Sequence, residues 1–454
     1  MAAFAPIAFT GGRRRTRRWP VGLYLLPLSG ALMLAAFLIL RESRTATPAD
    51  TQTEASRYVE LALALDRMRE GEVDSWFGPL LPPQLRVAPP ADLDQLERAL
   101  GHLADDLSVQ GSADDEPRRA RLRSLVGRLA GVTAMITEQG TGGFYHEASS
   151  IYGMAAPSEV ESTRWPRARE ELDALLAGEG PLTDRIAAFR AGFVVPPDRR
   201  QALFVRALAE CRARTRAHWT LPANERLDIV WTGAVPAAWH RYKGGMRSVL
   251  QINPQALAMP GQAIDLACHE GYPGHHTQFV AADAAAGPAG LPVEDRLILL
   301  RSPESVIREG AADAGVELVF PEAERLAFLR DVLFPLAGFD PADAERYARF
   351  EALERVASGA SLPIIARYRD GLLDRRRAVA ELAGEALVTS PAALLDYTDR
   401  YGAYVTGYTV ARERVKDFLG RSCGNQWTAL RTLVERPSAG LSYLQAAGSA
   451  TVVS

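Results

Sequence analysis

From about Arg57 onward, apolar residues recur at helical spacing over 57–70, 93–107, 118–137, 183–193 and 199–216. The same spacing returns over 303–319, 322–334, 341–357, 363–384, 391–398 and 401–420. Pro- and Gly-containing joints such as Pro82-Pro83 and Pro196-Pro197 separate the segments. Only two stretches read as strands: Leu227–Trp231, and Ser248–Asn253, which alternates and stops at Pro254. The pattern predicts a mainly α-helical fold with a small β-sheet edge and without tandem repeats.

The amino-terminal end follows a different rule. After Arg13-Arg14-Arg15-Thr16-Arg17-Arg18 come 22 residues without charge, Trp19 to Leu40. As a helix they would span roughly 33 Å, enough to cross a bilayer. A signal peptide has a shorter apolar core and an A-x-A-like cleavage site, which is absent, so a transmembrane signal anchor is favoured over a signal peptide. Basic residues stay cytoplasmic, which exports the rest of the chain in either case. The predicted organisation is a basic tail over 1–18, the anchor over 19–40, a polar linker over 41–55, a helical domain over 56–435 and a flexible tail over 436–454.

Charge sharpens this division. Residues 1–44 hold seven Arg against the single acid Glu42, a balance of +6 in a chain of net charge −3, so the remaining 410 residues carry −9. An acidic body speaks against nucleic acid as a partner. The three cysteines, Cys211, Cys268 and Cys423, are too few and too scattered for a disulfide framework or a cysteine zinc site, and Cys268 is expected to pack as a small apolar residue. Any metal would need His and carboxylate ligands.

Such ligands cluster in one place. Of seven histidines, three lie within the string Cys268-His269-Glu270-Gly271-Tyr272-Pro273-Gly274-His275-His276-Thr277-Gln278. In H-E-x-x-H helices two His one turn apart face one metal while the Glu acts as general base. Here position i+4 is Pro273, and in an unbroken helix His275 would point about 240° away from His269. Pro273-Gly274 is expected to introduce a bulge that re-aims the next histidine. His275 is preferred to His276 as second ligand, leaving His276 in a supporting position. Downstream, Ser302-Pro303 reads as a helix start leading to Glu309 and Asp313, four apart on one face and separated by small residues that suit a close approach to the histidine helix. Glu309 suits the metal, and Asp313 suits the free ring N–H of a ligand histidine. The isolated His102, His146, His218 and His240 are assigned no chemistry.

The run from Trp239 through Gln278 (A-W-H-R-Y-K-G-G-M-R-S-V-L-Q-I-N-P, then D-L-A-C-H-E-G-Y-P-G-H-H-T-Q) resembles a bacterial family of unknown function marked by H-E-x-Y-P-G-H-H. That family is similar to the gluzincin metallopeptidases of the thermolysin and carboxypeptidase Taq type. The resemblance is strong over about 239–320 and extends over 397–415, where Tyr397, Tyr401, Tyr404 and Tyr408 recur in D-Y-T-D-R-Y-G-A-Y-V-T-G-Y-T. It implies a helical zincin-like fold with a zinc cleft, His269, His275 and Glu309 as ligands and Glu270 as base. The downstream motif departs from the family's commoner E-G-W-A, reading Glu309-Gly310-Ala311-Ala312.

The function expected from these residues is zinc-dependent hydrolysis of peptide bonds, with Glu270 deprotonating water and returning the proton to the leaving amine. Tyr404 or Tyr408 would stabilise the oxyanion. Arg247, Asn253 and Arg412 are candidate substrate contacts, and Ser248–Asn253 a candidate edge strand for an extended peptide. The expected setting is a single-pass bacterial membrane protein with its body on the periplasmic or extracellular side. The alternative is a non-catalytic peptide-binding or scaffold protein that keeps the cleft.

Overall fold

The structure is a computed structural model and describes residues 48–78, 88–137, 142–235, 237–422 and 425–435. The expected tail 1–18, anchor 19–40 and carboxyl-terminal tail 436–454 lie outside the described residues, as does Cys423. Among the described residues no helix is long and apolar enough to cross a membrane.

The chain is mainly helical. It opens with α1 (Pro48–Met68), β1 (Val73–Trp76), α2 (Leu93–Ser108), α3 (Glu116–Thr137), α4 (Phe144–Tyr152), α5 (Glu159–Leu175), α6 (Leu182–Ala191) and α7 (Pro197–His218). A strand-rich centre follows: β2 (Arg226–Trp231), β3 (Ala238–Gly244) and β4 (Arg247–Ile252), then α8 (Pro260–Glu270), α9 (His275–Ala285) and β5 (Leu297–Leu299). The remainder is α10 (Pro303–Val319), α11 (Glu322–Phe328), a π turn over 329–333, α12 (Phe334–Ala337), α13 (Ala344–Ala357), α14 (Ser361–Arg369) and α15 (Arg375–Gly384). It closes with α16 (Pro391–Tyr401), a 3-10 segment over 402–408, α17 (Val410–Arg421) and α18 (Gln426–Glu435).

Local chemistry explains most boundaries. In α2, Leu96, Leu100, Leu103 and Leu107 form one buried stripe, and Asp92 caps the helix by accepting from the Gln95 N–H at 2.8 Å. Each fully buried leucine contributes about 1.5–3 kcal/mol. Three expectations are corrected. Residues 48–55 of the expected linker are the first turns of α1, with Thr51 and Ala55 fully buried. The single helix expected over 363–384 breaks at Gly371, whose φ of +72° ends α14, and α15 restarts with Asp374 accepting from the Arg377 N–H. The helix expected over 401–420 begins as the 3-10 segment before α17.

A main core gathers α7, α8, α10 and α17 through Phe204, Ala267, Val306, Ala311 and Val415. A second packs α1, α2 and α3 against β5 through Tyr58, Leu65, Leu96, Leu122 and Leu299. β1 pairs antiparallel with β5. The larger sheet has the order β2-β4-β3, with β4 parallel to β2 and antiparallel to β3. Ser248–Asn253 is therefore central and not the edge strand expected, because β2 and β3 occupy both of its hydrogen-bonding sides. The β3–β4 turn has positive φ at Gly245 and Met246, as a two-residue hairpin requires. Asp283 of α9 fastens it by accepting from Tyr242 Oη at 2.6 Å and the Gly245 N–H at 3.1 Å. That clamp lays β3 on α9, beside the histidine string.

Candidate metal centre

The histidine string does not bulge; it breaks into two helices. α8 ends at Glu270, the Gly271 N–H donates to Ala267 O at 3.0 Å, the Tyr272–Pro273 peptide is cis, and α9 restarts at His275. The Gly274 N–H donates to Cys268 O at 3.0 Å, and a Cβ at position 274 would stand 1.7 Å from the His269 carbonyl oxygen. Only glycine permits so tight a return. Its result is that the His269 and His275 rings meet with centroids 4.7 Å apart and planes at 88°.

α10 supplies the carboxylates. Ser302 caps it by accepting from the Ser305 N–H, with Pro303 as first helical residue. The helix packs against α8 as expected, and Gly310 in addition permits a close approach to α17, since a Cβ there would lie 2.6 Å from the Ala411 backbone; further along, Gly315 meets Pro273. Glu309 Oε2 lies 3.2 Å from His269 Nε2, and its Oε1 lies 3.5 Å from His275 Nε2. One ligand atom from each of His269, His275 and Glu309 falls within 4.8 Å of the others. Asp313 Oδ1 is 2.8 Å from His269 Nδ1, leaving Nε2 turned toward Glu309. Tyr404 Oη donates to Glu309 Oε1 at 2.8 Å, whereas buried Glu309 Oε2 has no hydrogen-bond partner among the described residues.

The charges are strongly coupled. Burial disfavours protonated His269, but Asp313 and Glu309 overturn that and hold it well above the usual histidine value. His275 is raised in the same way, chiefly by Glu309 against its own burial. Glu309 is held well below the carboxylate range because His275 and His269 outweigh the cost of burying it. A cation entering here must displace protons, so metal uptake strengthens as pH rises. Glu270 is pushed up by burial, with His275 and His269 opposing and Glu309 adding to the rise. Its carboxylate makes no hydrogen bond or ion pair with a described residue.

The tyrosines take distinct places. Tyr404 is engaged on Glu309. Tyr408 stacks toward His269 with ring centroids 6.5 Å apart, and its hydroxyl is 3.3 Å from that of Tyr397. Burial and then the charge of Glu309 hold both phenols well above their ordinary value, so both remain protonated. Tyr408 and Arg412 line a cavity of about 440 Å³ with Trp165, Phe320 and Leu362. Arg412 itself pairs with Glu413 at 3.1 Å. The other two expected substrate contacts sit elsewhere. Arg247 begins β4 and pairs with Asp228 at 3.7 Å, while Asn253 follows its end, where its amide donates to Val235 O and its Oδ1 accepts from the Gln255 N–H. Six residues of strand hold them about 20 Å apart, so they cannot grip one small group together, and neither contacts the triad.

His276 is also displaced from its expected place. Its Nε2 is 3.0 Å from Glu225 Oε2 and its Nδ1 2.8 Å from Ser248 Oγ, in a fully buried network away from Glu309. Tyr272 Oη and Arg212 Nε also donate to Glu225, each at 2.9 Å. Against its burial, these donors pull Glu225 down to about 2.

Three features escaped the sequence. His240 on β3 stands 2.9 Å from Ser248 Oγ, with its ring 6.1 Å from that of His275. Burial, then the charges of His275 and His276, hold it well below the usual histidine value and so neutral. The alternation of Ala238, His240 and Tyr242 was the one available signal that His240 faces inward. Asp74 on β1 keeps accessible surface yet is crowded by protein, and is pushed up to about 6 by desolvation and then Glu309, with His275 and Arg308 opposing. Finally, Cys268 does not pack as a free thiol: it forms a disulfide with Cys211, Cα atoms 5.5 Å apart, tying α7 to α8 one residue before His269.

No family model matches the chain, and no curated protein does. Among solved structures, it is similar in fold to a presumed lipoprotein from Colwellia psychrerythraea, with a TM-score of 0.50 and 12% identity over 79% of this chain and 69% of that one. A second structure, of a protein named BsuCP, aligns over 88% of this chain and 90% of that one with 11% identity and a TM-score of 0.34.

Proposed function

We propose that this chain is an exported zinc-dependent hydrolase with a zincin-like cleft, a metallopeptidase in which His269, His275 and Glu309 hold the ion. The observation that carries the reading is the convergence of those three ligand atoms within 4.8 Å, with a buried Glu309 oxygen that finds no hydrogen bond among the described residues. Two nitrogens and one carboxylate oxygen are the donor set of a catalytic zinc site that keeps a position for water. Bound there, zinc supplies a Lewis acid that polarises a carbonyl and acidifies an attacking water.

The chain's own residues do the rest. Glu270, adjacent to ligand His269 and raised by its burial, accepts the proton of the attacking water and delivers it to the leaving amine. Asp313 fixes the ring of His269, and Tyr404 fixes the carboxylate of Glu309. Tyr408, protonated and beside His269, is the donor for the oxyanion. The Cys211–Cys268 disulfide supports an oxidising, extracytoplasmic setting, and with it the anchor proposed for residues 19–40. The fold neighbour's description as a lipoprotein agrees with export.

The decisive experiment is a peptide-library digest with the full chain and its Glu270→Gln variant. The variant is expected to keep its zinc and lose hydrolysis by about 10²–10⁴-fold, the usual contribution of general acid–base catalysis. Full hydrolysis by a zinc-loaded Glu270→Gln protein would remove Glu270 from this role.

A further inference from the structure

A second cavity lies on the other face of α10. It encloses about 280 Å³ and is lined by Phe279, Leu125, Leu297, Ala282, Glu304 and Arg308 among others. The guanidinium of Arg308 is stacked 4.5 Å over the Phe279 ring, and the residue is only 7% exposed. Nε and Nη1 of Arg308 are buried with no hydrogen-bond partner among the described residues. One turn earlier, Glu304 pairs with Arg128 through Oε1 at 2.9 Å, and its Oε2 is likewise buried and unpartnered among the described residues. Residues four apart on a helix are neighbours, yet these two form no ion pair with each other. Unsatisfied donors therefore stand beside an unsatisfied acceptor on one wall. Leaving such groups without partners is costly, which makes the pair a built recognition feature.

Each of the other acids around the cavity has a basic partner: Asp295 pairs with Arg121, Glu294 with Arg118 at 2.7 Å and Glu435 with Arg431 at 2.6 Å, although Arg121 Nε and Asp295 Oδ1 also lack a hydrogen-bond partner among the described residues. Phe279, Leu125, Leu297 and Ala282 supply an apolar part of the lining. A ligand must then offer an anion and a cation side by side with an apolar remainder. The volume, just under the about 300 Å³ where small-molecule sites begin, suits a single residue and not a peptide.

We propose that this cavity binds a free apolar α-amino acid, its carboxylate on Arg308, its ammonium on Glu304 Oε2 and its side chain against Phe279, Leu125 and Leu297. The site is separate from His269, His275 and Glu309 and does not rest on the zinc-peptidase reading.

The test is calorimetric titration of the full chain with L-leucine and with its two halves, 4-methylpentanoate and isopentylamine. Leucine is expected to bind saturably, with each half at least tenfold weaker. Arg308→Met and Ala282→Leu, the second filling the cavity while sparing its charges, should each weaken leucine at least tenfold; if Arg308→Met fails to fold, Ala282→Leu decides. His269→Ala should leave leucine binding unchanged. The proposal is overturned if the folded parent protein does not bind leucine, if either half binds as tightly, if Ala282→Leu keeps the parent affinity, or if His269→Ala abolishes binding and so places leucine on the triad.

Discussion

His275 and His276 are adjacent in the chain and end in opposite surroundings. His275 turns into the cleft, where His269, Glu309 and Asp313 gather positive and negative groups around a point that no protein atom fills with hydrogen bonds. His276 turns toward the sheet, where both ring nitrogens are satisfied by Ser248 and Glu225, and Glu225 is in turn satisfied by Tyr272 and Arg212. Both clusters consist of buried histidines and carboxylates. The completed network is what holding a fold together looks like, because every donor has an acceptor. The incomplete one is what a ligand site looks like, because His269, His275 and Glu309 converge on one point while Glu309 Oε2 is left without a hydrogen bond among the described residues.

That contrast predicts separable consequences. The largest effect on stability belongs to the His276 side. Glu225 titrates at about 2 in the fold against 4.5 for the free side chain, a difference equivalent to roughly 3 kcal/mol. Because the folded value is depressed, the contribution is present above about pH 4.5 and is lost as pH falls toward 2. Urea unfolding of Glu225→Gln should therefore show a deficit of about that size at pH 7 that shrinks as the medium is acidified, with zinc content unchanged. A variant as stable as its parent at pH 7 would erase the distinction between the two clusters.

The His275 side should show the reverse. Asp313→Asn removes the carboxylate that orients His269 and is expected to weaken zinc affinity about 10–100-fold, the usual cost of losing such a partner. Unfolding of the metal-free protein should barely change. Competition with a chromophoric chelator measures the affinity directly. Smaller again, Tyr404→Phe removes one hydrogen bond to the Glu309 carboxylate, worth about 1.5 kcal/mol, and should weaken zinc by about tenfold at most. An effect exceeding that of Asp313→Asn would make the tyrosine, and not the aspartate, the principal support of the ligands.

The His275 side was the more legible of the two in the sequence. Histidines are scarce in this chain, so three within eight residues stand out, and a helix start at Ser302-Pro303 is enough to place Glu309 and Asp313 on one face. The helical stretches were legible for the same reason: α2 and α3 follow directly from leucine spacing. What stayed hidden depended on long-range packing. Asp74 is one of 55 acids and gains its place only because β1 pairs with β5 across more than 200 residues. Glu225 lies in a loop before β2 and meets His276 only when α9 is folded back. Cys211 and Cys268 are 57 residues apart, and only the packing of α7 on α8 brings them together. The edge of the sheet was misplaced because alternation identifies a strand without revealing its neighbours: β3 and β4 both alternate, yet β4 is central and β3 lies at the edge.

The central claim is that His269, His275 and Glu309 form a zinc site. Elemental analysis of the purified full chain after zinc reconstitution and exhaustive dialysis, beside His269→Ala and Glu309→Ala variants shown to be folded by circular dichroism, tests it most directly. The account predicts one zinc per chain in the parent protein and loss of stoichiometric metal in both variants. Absence of zinc from the parent chain, or equal retention by the folded variants, would contradict it.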